Sequence, residues 1–157
     1  MNMAEFKFVD INLSHEDRQA LLPKRQSALA SGLDLASAHK EPLVLKAHQR
    51  VLVSTGVAFS IPAGLEGQVR SRSGLALKHG IAVLNSPGTI DADYRGEIRV
   101  ILANFSSEDF VITFGMRIAQ LVIAPVILHE IMEVTVLGDS SRGADGFGST
   151  GLTHRPL

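Results

Sequence analysis

The sequence predicts an all-β fold, a jelly-roll-like β-sandwich or barrel with one or two short helices and a mobile Gly-rich C-terminal tail. Three observations carry this: period-two apolar alternation through the middle of the chain, turn clusters at short intervals, and helical segments too short to organise a core. The alternation runs through Val51 and Val53, then Val57, Phe59 and Ile61, then Ile98, Val100 and Leu102, then Met132, Val134 and Val136, and each run predicts a strand. Between them lie Ile61-Pro62-Ala63-Gly64, Asn85-Ser86-Pro87-Gly88, Asn104-Phe105-Ser106-Ser107 and Gly138-Asp139-Ser140-Ser141, all rich in turn formers. Ser14 is placed to cap a helix over His15 to Leu22, with Asp17 at the third position. Ser73 to His79 predicts one or two helical turns ended by Gly80.

The 157 residues suit one domain, and 45% hydrophobic against 20% charged residues can bury a core. Residues 1–137 are expected to form the β domain and residues 138–157, with 5 of the 14 glycines, a mobile segment of that domain. With 15 basic and 16 acidic residues the net charge is −1, which argues against nucleic acid or an anionic membrane as a partner. The lack of cysteine excludes disulfides, thiol nucleophiles and Cys-containing metal sites, the zinc deaminase type included. Glu5, Lys7 and Asp10 interrupt the first thirteen residues, so a signal peptide is not expected. Gln120 and Pro125 break the apolar stretch Ile118–Leu128, so a soluble, cytoplasmic protein is expected.

Familiar catalytic templates fail. There is no Gly-Lys pair for a Walker loop, and His129-Glu130-Ile131-Met132-Glu133 lacks the second histidine of a zinc protease helix. The histidines are spaced as surface or packed imidazoles rather than as ligands. Gly146-Phe147-Gly148-Ser149-Thr150-Gly151 matches G-x-G-x-x-G, but too few residues follow it for a dinucleotide-binding helix. Its glycines and hydroxyls could still cradle phosphate, while composition alone favours a disordered tail. Ten of the 15 basic residues are Arg, and Arg70, Arg72, Arg95, Arg99, Arg117 and Arg142 lie near turns. Arginine's planar fork suits a localised polyphosphate site, though spacing alone equally describes solvated charges. Gly88 to Glu97 predicts a hairpin in which Asp91 and Asp93 share one face, available to activate water or hold a metal, unless they merely build the turn.

Taken together, five stretches in order resemble the motifs of the trimeric dUTPases, over about residues 22–151. They are Ser31-Gly32-Leu33-Asp34-Leu35, Arg72-Ser73-Gly74-Leu75-Ala76, Asn85 through Glu97, Gly115-Met116-Arg117-Ile118-Ala119-Gln120-Leu121-Val122, and Arg142 through Gly151. The resemblance implies a dUTPase-like β-clip that hydrolyses dUTP to dUMP and pyrophosphate, with Asp91 positioning the attacking water. It implies that Asn85, with Gly88, Thr89 and Ile90, reads uracil, that Tyr94 packs under deoxyribose, and that Phe147 stacks on the base when the tail closes. Arg72, Ser73, Gly74, Gln120, Arg142, Gly148, Ser149 and Thr150 would hold phosphates, and Asp34 would reach Mg²⁺ through water. The implied partner chains are two further copies, in a homotrimer with composite sites. Ser71, Met116 and Asp145 stand where the family commonly has Pro, Asp and Gly. These departures imply a changed loop, a lost ion pair and a carboxylate in the phosphate-covering segment. A dCTP deaminase-like enzyme of the same fold, or an inactive nucleotide-binding module, are the alternatives. Tyr94 and the complete fifth motif count against the first, and the joint presence of Asp34, Asp91, Tyr94 and Arg142 against the second.

Overall fold

A computed structural model describes residues 3–144. The strands among them are β1 (Glu5–Phe8), β2 (Leu33–Ala36), β3 (Leu43–Leu45), β4 (Arg50–Ser60), β5 (Leu65–Arg70), β6 (Ile81–Val83), β7 (Gly88–Ile90), β8 (Glu97–Asn104), β9 (Phe110–Ile112) and β10 (Arg117–Pro125). The helices are α1 (His15–Leu21) and α2 (Ser73–His79). Two four-stranded antiparallel sheets, in the orders β1-β4-β8-β6 and β2-β10-β5-β7, face each other, with β3 and β9 paired separately.

Period-two alternation explains the core. Val53, Thr55, Val57 and Phe59 of β4 point inward, as do Ile98, Val100 and Leu102 of β8. They meet Leu35, Val69, Ala119 and Leu121 from the other sheet in one buried cluster. Each large aliphatic side chain removed from water there contributes about 1.5–3 kcal/mol. The runs at Val51–Val53 and Val57–Ile61 form one long strand with its final residue just beyond, because buried Thr55 keeps the alternation in phase.

Both predicted helices are present. Ser14 Oγ accepts from Asp17 N at 3.1 Å and caps α1, and Gly80 closes α2 in the left-handed conformation. Two expectations fail. Residues 132–136 form no strand, and Met132 and Val136 are 80% and 81% exposed. Alternation supplies an apolar face, but a strand also needs a ladder partner, and no described backbone pairs with this segment. The expected hairpin at Gly88–Glu97 is instead a crossing: β7 pairs with β5 in one sheet and β8 with β4 and β6 in the other. No described helix is long and apolar enough to cross a membrane.

Lys40 donates to Asp17 Oδ2 at 2.6 Å, and this hydrogen bond holds the Asp17 carboxyl below its ordinary value. Ser14→Ala should destabilise the protein by about 1 kcal/mol in urea unfolding. The Asp17–Lys40 contribution should be full above the unfolded carboxylate pKa of ~3.9 and fall away as pH drops through the lower folded value. A Lys40→Met variant with unchanged acid sensitivity would contradict it.

Candidate active site

The register of the second sheet aligns polar residues across three strands. Asp34 of β2 lies opposite Gln120 of β10, which lies opposite Arg70 of β5, so all three share the outer face. Arg117 Nη1 donates to Asp34 Oδ2 at 2.8 Å, and Arg72 Nε lies 3.4 Å from Asp34 Oδ1. Arg72 Nη1 also donates to the Arg117 carbonyl at 2.7 Å, closing a three-residue network. Gln120 Nε2 donates to the Ser71 carbonyl at 2.9 Å, just before α2. A Cβ at residue 32 would overlap the Gln120 side chain, so Gly32 is what lets the amide lie flat.

Ser73 and Gly74 open α2 and are exposed, and the helix buries none of its residues. Ser71 Oγ accepts from Val83 N at 2.8 Å, a bond that proline at this position could not make. Met116, where an acidic residue was the family expectation, is half-buried against the core. Arg117 thus takes Asp34 as its carboxylate.

A second group surrounds a cavity of about 270 Å³. Asn85, Thr89, Ile90, Asp91 and Tyr94 form one wall, and Leu52, Arg99 and Ile101, from the outer face of the first sheet, form another. Gly88 is buried beside the Asn85 amide. Asp91 and Asp93 do not share an extended face, because Tyr94 N donates to the Asp91 carbonyl at 3.1 Å and turns the chain. Arg95 Nη1 fastens the turn through the Ala92 and Tyr94 carbonyls, at 2.6 and 2.8 Å. The Tyr94 hydroxyl donates to the Glu97 carbonyl at 3.0 Å. The ring lies so close over Gly96 that a Cβ there would overlap the hydroxyl oxygen.

The structure therefore brings Asn85, Gly88, Thr89, Ile90, Asp91 and Tyr94 together, and separately Asp34, Arg72 and Gln120, with Ser73 and Gly74 following Arg72 at the start of α2. Three strand spacings of about 4.8 Å separate β2 from β7, and no described hydrogen bond or ion pair joins the two groups. Arg142 is exposed on the segment beyond β10. Phe147, Gly148, Ser149, Thr150 and Asp145 lie outside the described residues. Arg99 and Arg117 belong to the arginine set singled out from the sequence, whereas the close approaches at Gly32 and Gly96 carried no expectation of their own. Arg99 was legible as outward-facing, since it alternates with Ile98 and Val100.

Residues 18–151 match the sequence profile of the dUTPase family. The deoxyuridine 5'-triphosphate nucleotidohydrolase of Rhizobium etli (strain CIAT 652) is 57% identical over 133 residues, spanning 83% of this chain and 85% of that protein. That of Beijerinckia indica subsp. indica is 57% identical over 141 residues, 88% of each chain. Among solved structures, the dUTPase of Staphylococcus bacteriophage 80alpha with dUpNHpp superposes with a TM-score of 0.79 at 29% identity, over 97% of this chain and all of that one.

Tyr94 is the sole tyrosine and there is no tryptophan, so tyrosine emission reports on this cavity alone. Gly96→Ala should displace the ring, break its bond to Glu97 and change that emission, with a stability loss of about 1–3 kcal/mol from overpacking. Emission identical to the parent protein's would contradict the close approach.

Proposed function

The chain belongs to the dUTPase family, so its reaction is the hydrolysis of dUTP to dUMP and pyrophosphate, and we propose how its residues divide that work. The supporting observation is that Asp91 shares one cavity with Asn85, Thr89 and Tyr94. Asn85 and the backbone of Gly88, Thr89 and Ile90 read uracil, while Tyr94 packs under deoxyribose and leaves no room for a 2'-hydroxyl. Asp91 holds a water in line with the α-phosphorus and takes its proton as the new P–O bond forms. The bond to the β-phosphate breaks, and pyrophosphate leaves. A carboxylate is a weak base at neutral pH, so holding the water in line supplies much of the rate.

Arg72, Ser73, Gly74 and Gln120 bind the phosphates, with Arg142, Gly148, Ser149 and Thr150 covering them and Phe147 stacking over the base. Closure of residues 138–157 over the domain formed by 1–137 excludes other water. Mg²⁺, when bound, neutralises charge developing on the phosphates. Asp34 would hold it through its water shell. The fit rests on the donors: both Asp34 oxygens already face guanidinium groups, and no set of three His, Asp or Glu gathers among the described residues. That suits a hard cation carried by the phosphates rather than caged by protein.

The separation of the Asp34 row from the Asp91 cavity, and the exposed start of α2, support a homotrimer in which each site draws on three chains. In a cytoplasmic setting the reaction would limit uracil incorporation into DNA and supply dUMP for thymidylate synthesis.

Asp91→Asn should bind dUpNHpp as the parent protein does but slow single-turnover hydrolysis by roughly 10² to 10⁴. Near-parental turnover would return Asp91 to a turn-building role. Deleting residues 138–157 should leave a folded oligomer with collapsed turnover, and Phe147→Ala should do less harm, about 1–3 kcal/mol for a lost stack. Full activity after truncation would remove the lid from the mechanism. Refolding Asp91→Asn chains together with Arg142→Ala chains should recover some activity; none in verified mixed trimers would assign each site to one chain.

A further inference from the structure

We propose that Glu97, which lines the same cavity but is given no contact with uracil or phosphate in the scheme above, is the positioning residue that sets how well Tyr94 discriminates deoxyribose from ribose. The inference rests on the reading of Tyr94 as the sugar-contacting residue. Glu97 begins β8 and sits opposite Ala58, where the β4–β8 ladder resumes after an irregularity. Between the Ser54–Arg99 and Ala58–Glu97 pairs, β4 advances four residues while β8 advances two. Backbone groups in such a bulge lose their ladder partners and need others.

Side chains of this chain supply them. Thr55 Oγ1 donates to the Ile98 carbonyl at 2.6 Å, and Gly56 N donates to Glu97 Oε1 at 2.8 Å. The Gly56 carbonyl in turn accepts from Val9 N at 2.8 Å, fastening the bulge to the segment after β1. The carboxylate therefore ties the first residue of β8 to a fixed point on β4, through a charge-assisted bond. The carbonyl of that same residue accepts from the Tyr94 hydroxyl. This is the hydroxyl's only hydrogen bond among the described residues, and the ring occupies the space that a Cβ at residue 96 would need. The path Gly56, Glu97, Tyr94 thus runs from a structural irregularity in one sheet to the wall of the nucleotide cavity.

The test compares kcat/KM for dUTP and UTP in the full-length protein, with oligomeric mass and Tm measured for each variant. Glu97→Leu should lower the dUTP/UTP ratio about 3- to 10-fold, the worth of one hydrogen bond, and Glu97→Gln, which keeps an acceptor, should restore it. Glu97→Asp, one methylene too short to reach Gly56 N, should lower the ratio as well and serves if Glu97→Leu does not fold. Thr55→Val removes the neighbouring bulge bond and should lower Tm while leaving the ratio intact. In a Tyr94→Phe background, Glu97→Asp should change the ratio no further. An unchanged ratio in both Glu97→Leu and Glu97→Asp, or an equal loss in Thr55→Val, overturns the role of Glu97 while leaving Tyr94 as the sugar reader. Equal use of UTP and dUTP by the parent protein overturns the reading of Tyr94 and this inference with it.

Discussion

Ile90 is paired to Gly67 in one sheet and Glu97 to Ala58 in the other, and the residues between them must cross the sandwich. That crossing is the constraint on which the cavity around Asp91 and Tyr94 depends. Both ends are fixed by ladders, and the middle is closed by the Tyr94–Asp91 backbone bond and by Arg95 across two carbonyls. A free loop of this composition would sample many conformations at a cost of about 1–2 kcal/mol per residue to order. Here the cost is met by sheet formation, so Asp91 and Tyr94 present themselves in fixed positions on a scaffold built for burial rather than chemistry.

The second group is organised by charge. One carboxylate, Asp34, stands between the guanidinium groups of Arg72 and Arg117, leaving a local excess of one positive charge in a chain whose net charge is −1. The Arg117 side chain is about half exposed, and ion pairs of that exposure stabilise a fold little. Their effect is orientation: the network fixes two planar guanidinium groups beside Asp34 and makes the local field positive despite the acidic whole. Met116 removes a competing carboxylate from this neighbourhood, and Ser71 holds Val83 and Gln120 at the approach to α2. Both departures from the family pattern are thus accommodated by contacts that the replacement residue itself can make.

Strand content was legible wherever one face of the chain is buried against the other sheet. Val57, Phe59, Ile98, Val100 and Leu102 alternate because the pleat sends every second side chain to the core. The same alternation at Met132, Val134 and Val136 misled, because periodicity reports an apolar face and says nothing about whether a partner backbone lies alongside. The hairpin expected at Gly88–Glu97 failed for a related reason. Turn chemistry at Asp91–Tyr94 is local and was readable, but which sheet receives the chain afterwards depends on residues far away in sequence.

By itself, the sequence determined the all-β class and the two helices with their Ser14 and Gly80 boundaries. These follow from local rules of capping, pleat and donor chemistry that act within a few positions. Only the tertiary structure decided that Asp34, Gln120 and Arg70 fall in one row, that Arg117 is the partner of Asp34, and that Glu97 joins a bulge to Tyr94. Each of those depends on strand register between segments distant in the chain. A slip of one residue would turn the strand residues Asp34, Arg70, Glu97 and Gln120 to the opposite face.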